Sequence, residues 1–153
     1  MTIILGSSND DESYGITTAN DGSIYITGKT SGNLGGQING GWDDAFITKF
    51  NSDGEKQWTK LLGDSHSEYS RGITTGDDGS IYITGTAGDD LDGQINKGRI
   101  DIFIPKNSRD GEKQWTKLVG SSEDEIELIT TGLDGSIYII KQLSTAIYPF
   151  NFV

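Results

Sequence analysis

Oxygen-bearing side chains are this chain's main chemical resource, and they gather in two kinds of place. The first is a set of tight turns, where Asn20-Asp21, Asp77-Asp78 and Asn51-Ser52-Asp53 offer the hard oxygen ligands that calcium takes. Calcium usually needs about six to eight such oxygens, and the EF-hand order of alternating acidic positions closed by Glu is missing. The simpler assignment is a turn in which Asp bonds its own backbone and the following Gly supplies a positive φ. Ca²⁺ is therefore a minor alternative at these turns, and no other cofactor or metal is expected.

The second place is a pair of long loops. Asn33, Asn39, Asp43 and Asp44 surround Trp42, and Asp89, Asp90, Asp92, Asn96 and Asp101 lie in a related segment further on. Loops of this length often carry function. Their carboxylates and amides could hold a cation, or hydrogen-bond a sugar whose apolar face stacks on Trp42. The plainer alternative is a solvated glycine-rich loop, and Arg99 stands where the first segment has Trp42. Catalysis finds little support. The one histidine, His66, sits in Asp64-Ser65-His66-Ser67-Glu68, but a Ser-His-Asp triad is a matter of geometry that neighbours in one loop rarely meet. A surface histidine is the expectation, and Glu123-Asp124-Glu125 reads as charged surface.

Composition limits the partners. The 153 residues carry a net charge of −11, which repels nucleic acid. No apolar run approaches the ~18 residues of a membrane-spanning helix, and the start Met1-Thr2-Ile3-Ile4-Leu5-Gly6 lacks the basic and apolar regions of a signal peptide. Apolar residues make up only 33%, yet 22 glycines bring the chain back toward a globular composition. With no cysteine there is neither a disulfide framework nor a thiolate site.

The elements that must position these groups come as a tandem repeat. Asp21-Gly22-Ser23-Ile24-Tyr25-Ile26-Thr27-Gly28 returns as Asp78 to Gly85, and Asp53-Gly54-Glu55-Lys56-Gln57-Trp58 returns as Asp110 to Trp115, both at an offset of 57. Residues 5–61 and 62–118 match at 35 of 57 positions without a gap. Residues 1–4 read as the end of a preceding unit, and residues 119–153 as a partial, degenerate third copy with an offset of 56 from Ile129 onward. Each unit reads as four strands, in the first copy Tyr14 to Ala19, Ser23 to Thr30, Asp44 to Asn51 and Glu55 to Leu62. Both faces of these strands carry apolar residues, which suits a sheet packed between two like sheets better than one facing water. The expected fold class is all-β, a partial β-propeller of ~57-residue, four-stranded antiparallel blades. Pro105 replaces Thr48 and Asn107 replaces Phe50, so the third strand of the second unit is expected to be weakened or bulged.

The ordered motifs Leu5-Gly6, Tyr14-Gly15-Ile16-Thr17-Thr18, Asp21 to Gly28, Asp44-Ala45-Phe46-Ile47-Thr48-Lys49-Phe50 and Gln57-Trp58-Thr59-Lys60-Leu61-Leu62-Gly63 resemble the bacterial SBBP-type β-propeller repeat. That resemblance runs to about Ile139. It implies the propeller fold and a secreted or cell-surface setting, and it supplies no catalytic residues. The chain departs from the family in holding fewer than three full copies. The expected function is a non-enzymatic scaffold or binding module for a protein or carbohydrate ligand. Two alternatives are a fragment of a longer secreted propeller and a propeller-type enzyme with an axial site; strands such as Ile16-Thr17-Thr18 offer that site hydroxyls but no acid or base. Because the opening and closing units look complementary, self-association by edge-strand addition is expected, as a homodimer or higher.

Overall fold

Each Asp-Gly-Ser triplet turns the chain back on itself. Asp21, Asp78 and Asp134 each accept a hydrogen bond from the backbone N–H of the serine two residues on, at 2.9, 2.9 and 3.0 Å. The intervening Gly22, Gly79 and Gly135 take φ of 80°, 78° and 80°, a region that glycine enters without strain. The strands so joined organise the molecule. The structure, a computed structural model, describes residues 4–98, 100–120, 125–132, 134–142 and 147–152; among these it forms eleven strands and no helix.

The first sheet holds β1 (Asp11–Thr18), β2 (Ile24–Thr30), β3 (Asp44–Phe50) and β4 (Lys56–Leu62), antiparallel and in that order. The second repeats it with β5 (Glu68–Thr75), β6 (Ile81–Ala87), β7 (Asp101–Asn107) and β8 (Lys113–Val119). The third has β9 (Glu125–Thr131), β10 (Ile137–Gln142) and β11 (Ile147–Phe152), with β10 in the middle. The first strand starts earlier than the sequence suggested. Its polar opening Asp11-Glu12-Ser13 pairs with Thr30, Lys29 and Gly28, and Glu12 meets Lys29 across the ladder at 3.2 Å. The aromatic tail also acquires a place. In β11 Phe152 sits opposite Ile137, the register that Phe50 holds opposite Ile24 and Asn107 opposite Ile81.

The sheets pack on one another through their first strands, β5 against β1 and β9 against β5. Tyr25 and Ile47 of the first sheet meet Ile73, Ile81 and Ile83 of the second in one buried cluster, with Trp58 and Leu62 at its margin. Ile102 and Ile104 meet Ile137 and Ile139 of the third sheet in another. A polar ladder runs beside these cores. Thr75 Oγ1 donates to the carbonyl of Thr18 and Thr131 Oγ1 to that of Thr75, each at 3.1 Å and each one repeat back along the chain. Further along, Thr27 Oγ1 lies 2.7 Å from Ser70 Oγ, which donates to Gly28 O at 2.5 Å.

Pro105 leaves the mark expected of it. The first sheet pairs every residue from Ile24 to Thr30 with β3, whereas the second loses pairing with β7 at Ile83 and Thr84. Proline has no N–H to give the ladder. The Thr84 hydroxyl is buried there without a partner, although its counterpart Thr27 is fully bonded.

Burial ranks the consequences of substitution. Ile81 is fully buried in the first core, so Ile81→Ala should destabilise the fold by about 2–4 kcal/mol. His66 and Asp89 form an exposed pair, so His66→Ala should cost less than about 1 kcal/mol. Urea unfolding of both variants checks the order, and a larger loss at His66 would reverse it.

Candidate functional site

The loop residues singled out for binding are largely engaged in shaping their own loops. Asn39 donates its Nδ2 to Thr30 O at 2.9 Å, accepts from Gly41 N–H at 2.8 Å, and sends its backbone N–H to Asn33 Oδ1 at 2.9 Å. Asn96 repeats the scheme with Ala87 O, Gly98 N–H and Asp90 Oδ1 at 3.2, 2.8 and 2.7 Å. Asp43 accepts from Ser31 Oγ at 2.5 Å and from the Tyr69 hydroxyl at 3.2 Å, and Asp89 accepts from Asp90 N–H. Asp44 and Asp101 accept from the backbone N–H groups of Gly40 and Lys97 at 2.9 and 2.8 Å. Trp42 stands out into solvent at 82% exposure, with Ile38 on the same loop equally exposed.

One of these carboxylates has a second relationship. Asp44, at the start of β3, and Glu68, at the start of β5, are both buried, and Asp44 Oδ1 and Glu68 Oε1 have no hydrogen-bond partner. They approach the same glycine: a Cβ added at Gly63 would lie 2.6 Å from Glu68 Oε2 and 2.7 Å from Asp44 Oδ1. Burial pushes the Glu68 carboxyl up to about 7, the carboxylates of Asp64, Asp44 and Asp89 add to that, and the Asp64 N–H works against it. Burial likewise raises Asp44, against the N–H groups of Gly40 and Gly41. Both carboxyl groups thus sit where the first sheet meets the second, and burial there favours their protonated forms. Among the described residues no cluster of three or more metal-binding side chains occurs.

His66 does not form a triad with its neighbours. Its Nδ1 lies 3.1 Å from Ser65 Oγ and 3.1 Å from Asp89 Oδ2. A triad needs serine and carboxylate on opposite ring nitrogens, and here both face the same one.

A cleft of about 250 Å³ opens between β4 of the first sheet and β7–β8 of the second. Phe103, Leu62 and Pro105 supply apolar wall, and Asp92 lies at its edge. Asp92 holds φ of 52°, the left-handed region, where the first unit has Gly35. Its carboxylate accepts from Lys113 and Thr116. Burial opposes ionisation of Asp92, but those two partners outweigh it and hold the group below the usual carboxylate range. Across the mouth, Lys60 pairs with Glu112 at 3.7 Å. Asn107 lines the cleft with 1% exposure, and its Nδ2 finds no acceptor. Of these residues the loop pattern pointed only to Asp92. The sequence signal for the rest is departure from the repeat: Gly35, Thr48 and Phe50 of the first copy correspond to Asp92, Pro105 and Asn107, and all three replacements line this one cleft.

The acid pair makes a pH prediction. Between about 4.5 and about 7 the folded chain keeps on Glu68 a proton that the unfolded chain has released, so stability falls as pH rises through that window. Glu68→Gln should flatten that fall and raise the melting temperature most at about pH 8, the two proteins converging toward pH 4.5. Parallel pH curves for parent and variant would show that the proton is not held there.

Against known proteins, no family model matches the chain. Over 136 residues it is 26% identical to the regulatory protein FlaEY of Caulobacter vibrioides (strain ATCC 19089 / CIP 103742 / CB 15). That alignment covers 79% of this chain and 14% of the relative, so the chain spans a small part of that protein's length.

Proposed function

We propose that the chain is a non-enzymatic run of β-propeller blades that serves as a scaffold or binding module. The observation that carries this is the threonine ladder. A hydroxyl-to-carbonyl bond recurs one repeat apart, from Thr75 to Thr18 and from Thr131 to Thr75, between the first strands of successive sheets. Blades set around an axis bring their innermost strands together in this way. The resemblance to the SBBP-type repeat supports the same reading, along with its secreted or cell-surface setting. The closing ends of the first strands, Thr17-Thr18 and Thr74-Thr75, supply that axis with threonine hydroxyls, which lack the acid-base capacity an active site there would need; the acids of these strands, Asp11, Glu12 and Glu68, stand at their opening ends.

The first sheet offers a face for a further blade. Ile16 is 68% exposed, while its counterpart Ile73 is 7% exposed under the neighbouring sheet. Ile24 and Ile26 are half-buried where Ile81 and Ile83 are fully buried. The occupant we assign is a blade of a second copy. Three sheets from each of two chains make six, within the usual range of about four to eight blades for a closed ring. Continuity with the interface already formed between the first and second sheets argues for it, since the same three positions would be covered in the same manner. At net charge −11 per chain, salt should favour this association by screening.

Light scattering coupled to size exclusion tests the proposal. The parent should run at twice 16.5 kDa or more, and Ile16→Asp should return it to a folded monomer. A monodisperse 16.5 kDa parent at micromolar concentration would rule out closure by a second copy.

A further inference from the structure

The cleft between the first and second sheets lies where the second copy departs from the first. The register position opposite the second strand's first isoleucine holds Phe50 in the first sheet and Phe152 in the third, but Asn107 in the second. Exchanging a phenyl ring for a carboxamide at a buried position removes packing volume and brings in a polar group that needs a partner. Both consequences are visible. A cavity of about 250 Å³ stands beside Asn107, and the buried Nδ2 lacks an acceptor. Two further departures from the first copy, Asp92 for Gly35 and Pro105 for Thr48, line the same space. A residue other than glycine at a positive φ is uncommon, and here it places a carboxylate at the rim.

The chemistry of the lining narrows the ligand. Its charges are matched, Lys113 with Asp92 and Lys60 with Glu112, so an ionic ligand would have to displace an existing partner. A neutral ligand rich in hydroxyl groups meets no such penalty, because each hydroxyl both donates and accepts. The Asn107 amide needs an acceptor oxygen. The Asp92 carboxylate, with two donors already bound, keeps lone pairs for a ligand O–H, and the Thr116 hydroxyl, which donates to Asp92, can still accept. Half-buried Leu62, with Phe103 and Pro105 buried behind it, makes the apolar side toward which the C–H face of a sugar ring turns. The space, about 250 Å³, suits a small ligand of the size of one pyranose ring.

We infer that this inter-sheet cleft binds a single neutral monosaccharide unit, with the buried Asn107 amide turning toward the cleft to donate to a ring or hydroxyl oxygen and Asp92 accepting from ligand hydroxyls. The inference rests on the binding-module reading and names its ligand class. It does not depend on closure by a second copy, because every residue of the cleft comes from one chain.

The test uses the full chain, in whichever assembly state it adopts, titrated separately with glucose, galactose and N-acetylglucosamine and followed by amide NMR shifts. At least one sugar should give saturable shifts at Gly111, Lys113 and Thr116. Two variants return the residues of the first copy, Asn107→Phe filling the space and Asp92→Gly removing the carboxylate at a φ that suits glycine. Each should weaken binding roughly tenfold or more, the loss expected when a buried hydrogen-bond partner disappears. Asn107→Phe should also keep or raise the melting temperature. Three results would overturn the inference: no saturable shift with any of the three sugars, shifts confined to Trp42 and its loop, or binding that survives Asn107→Phe in a folded protein. An oligomer that fails to form, with sugar binding intact, would refute only the closed ring.

Discussion

The contact between successive sheets is what the rest of the molecule depends on. No sheet can bury its own apolar residues, because Ile and Tyr project from one face while Phe and Ile project from the other. Each sheet therefore needs a neighbour, and the second has one on each side. Tyr25 and Ile47 close over Ile73, Ile81 and Ile83, and Ile102 and Ile104 close over Ile137 and Ile139. Burial of this kind contributes about 25 cal/mol per Å² of apolar surface, and it is undirected. Direction comes from hydrogen bonds. Thr75, Thr131, Ser70 and Thr27 fix how far one sheet slides along the next, because each hydroxyl has a partner at only one register.

That division of labour explains where the repeat can change. Ile81, Ile83 and the Asp-Gly-Ser turns are kept between copies, since a loss there opens a core or a turn. Third-strand positions facing the preceding sheet have changed instead. Around Pro105 the ladder pairing of Ile83 and Thr84 is lost, and Asn107 leaves its Nδ2 without a partner. An unsatisfied buried polar group costs about 1–3 kcal/mol, so the second unit holds these residues at the expense of stability. Their confinement to one cleft, with Asp92 at its rim, gives that expense a single location.

The buried acid pair shows the same tension beside Gly63, a residue that also lines the cleft. Asp44 and Glu68 bring carboxyl groups into an interface between two sheets, with backbone N–H groups satisfying one oxygen of each. Gly63 is required because both carboxyl groups reach into the space a side chain would fill. The long loops, by contrast, spend their amides and carboxylates on themselves. Asn39 and Asn96 each bridge three points of loop backbone, which holds a glycine-rich segment in one shape.

The sequence by itself determined the repeat, the strands, the turns and the inward faces, because these depend on local rules: alternation along a strand, Asp-Gly at a tight turn, a missing N–H at Pro105. It also marked Asn107 and Pro105 as departures, since a repeat carries its own reference. What it left undetermined depends on distance through space. That Asp44 and Glu68 share one pocket of burial, 24 residues apart, follows from how the sheets stack. That the tail becomes a third strand follows from β10 having a free edge to pair. That Asp92, Pro105 and Asn107 line one cavity with Lys60 of the preceding sheet follows from the same stacking. Register between sheets is set by hydroxyl contacts one repeat apart, and only the tertiary structure brings those groups together.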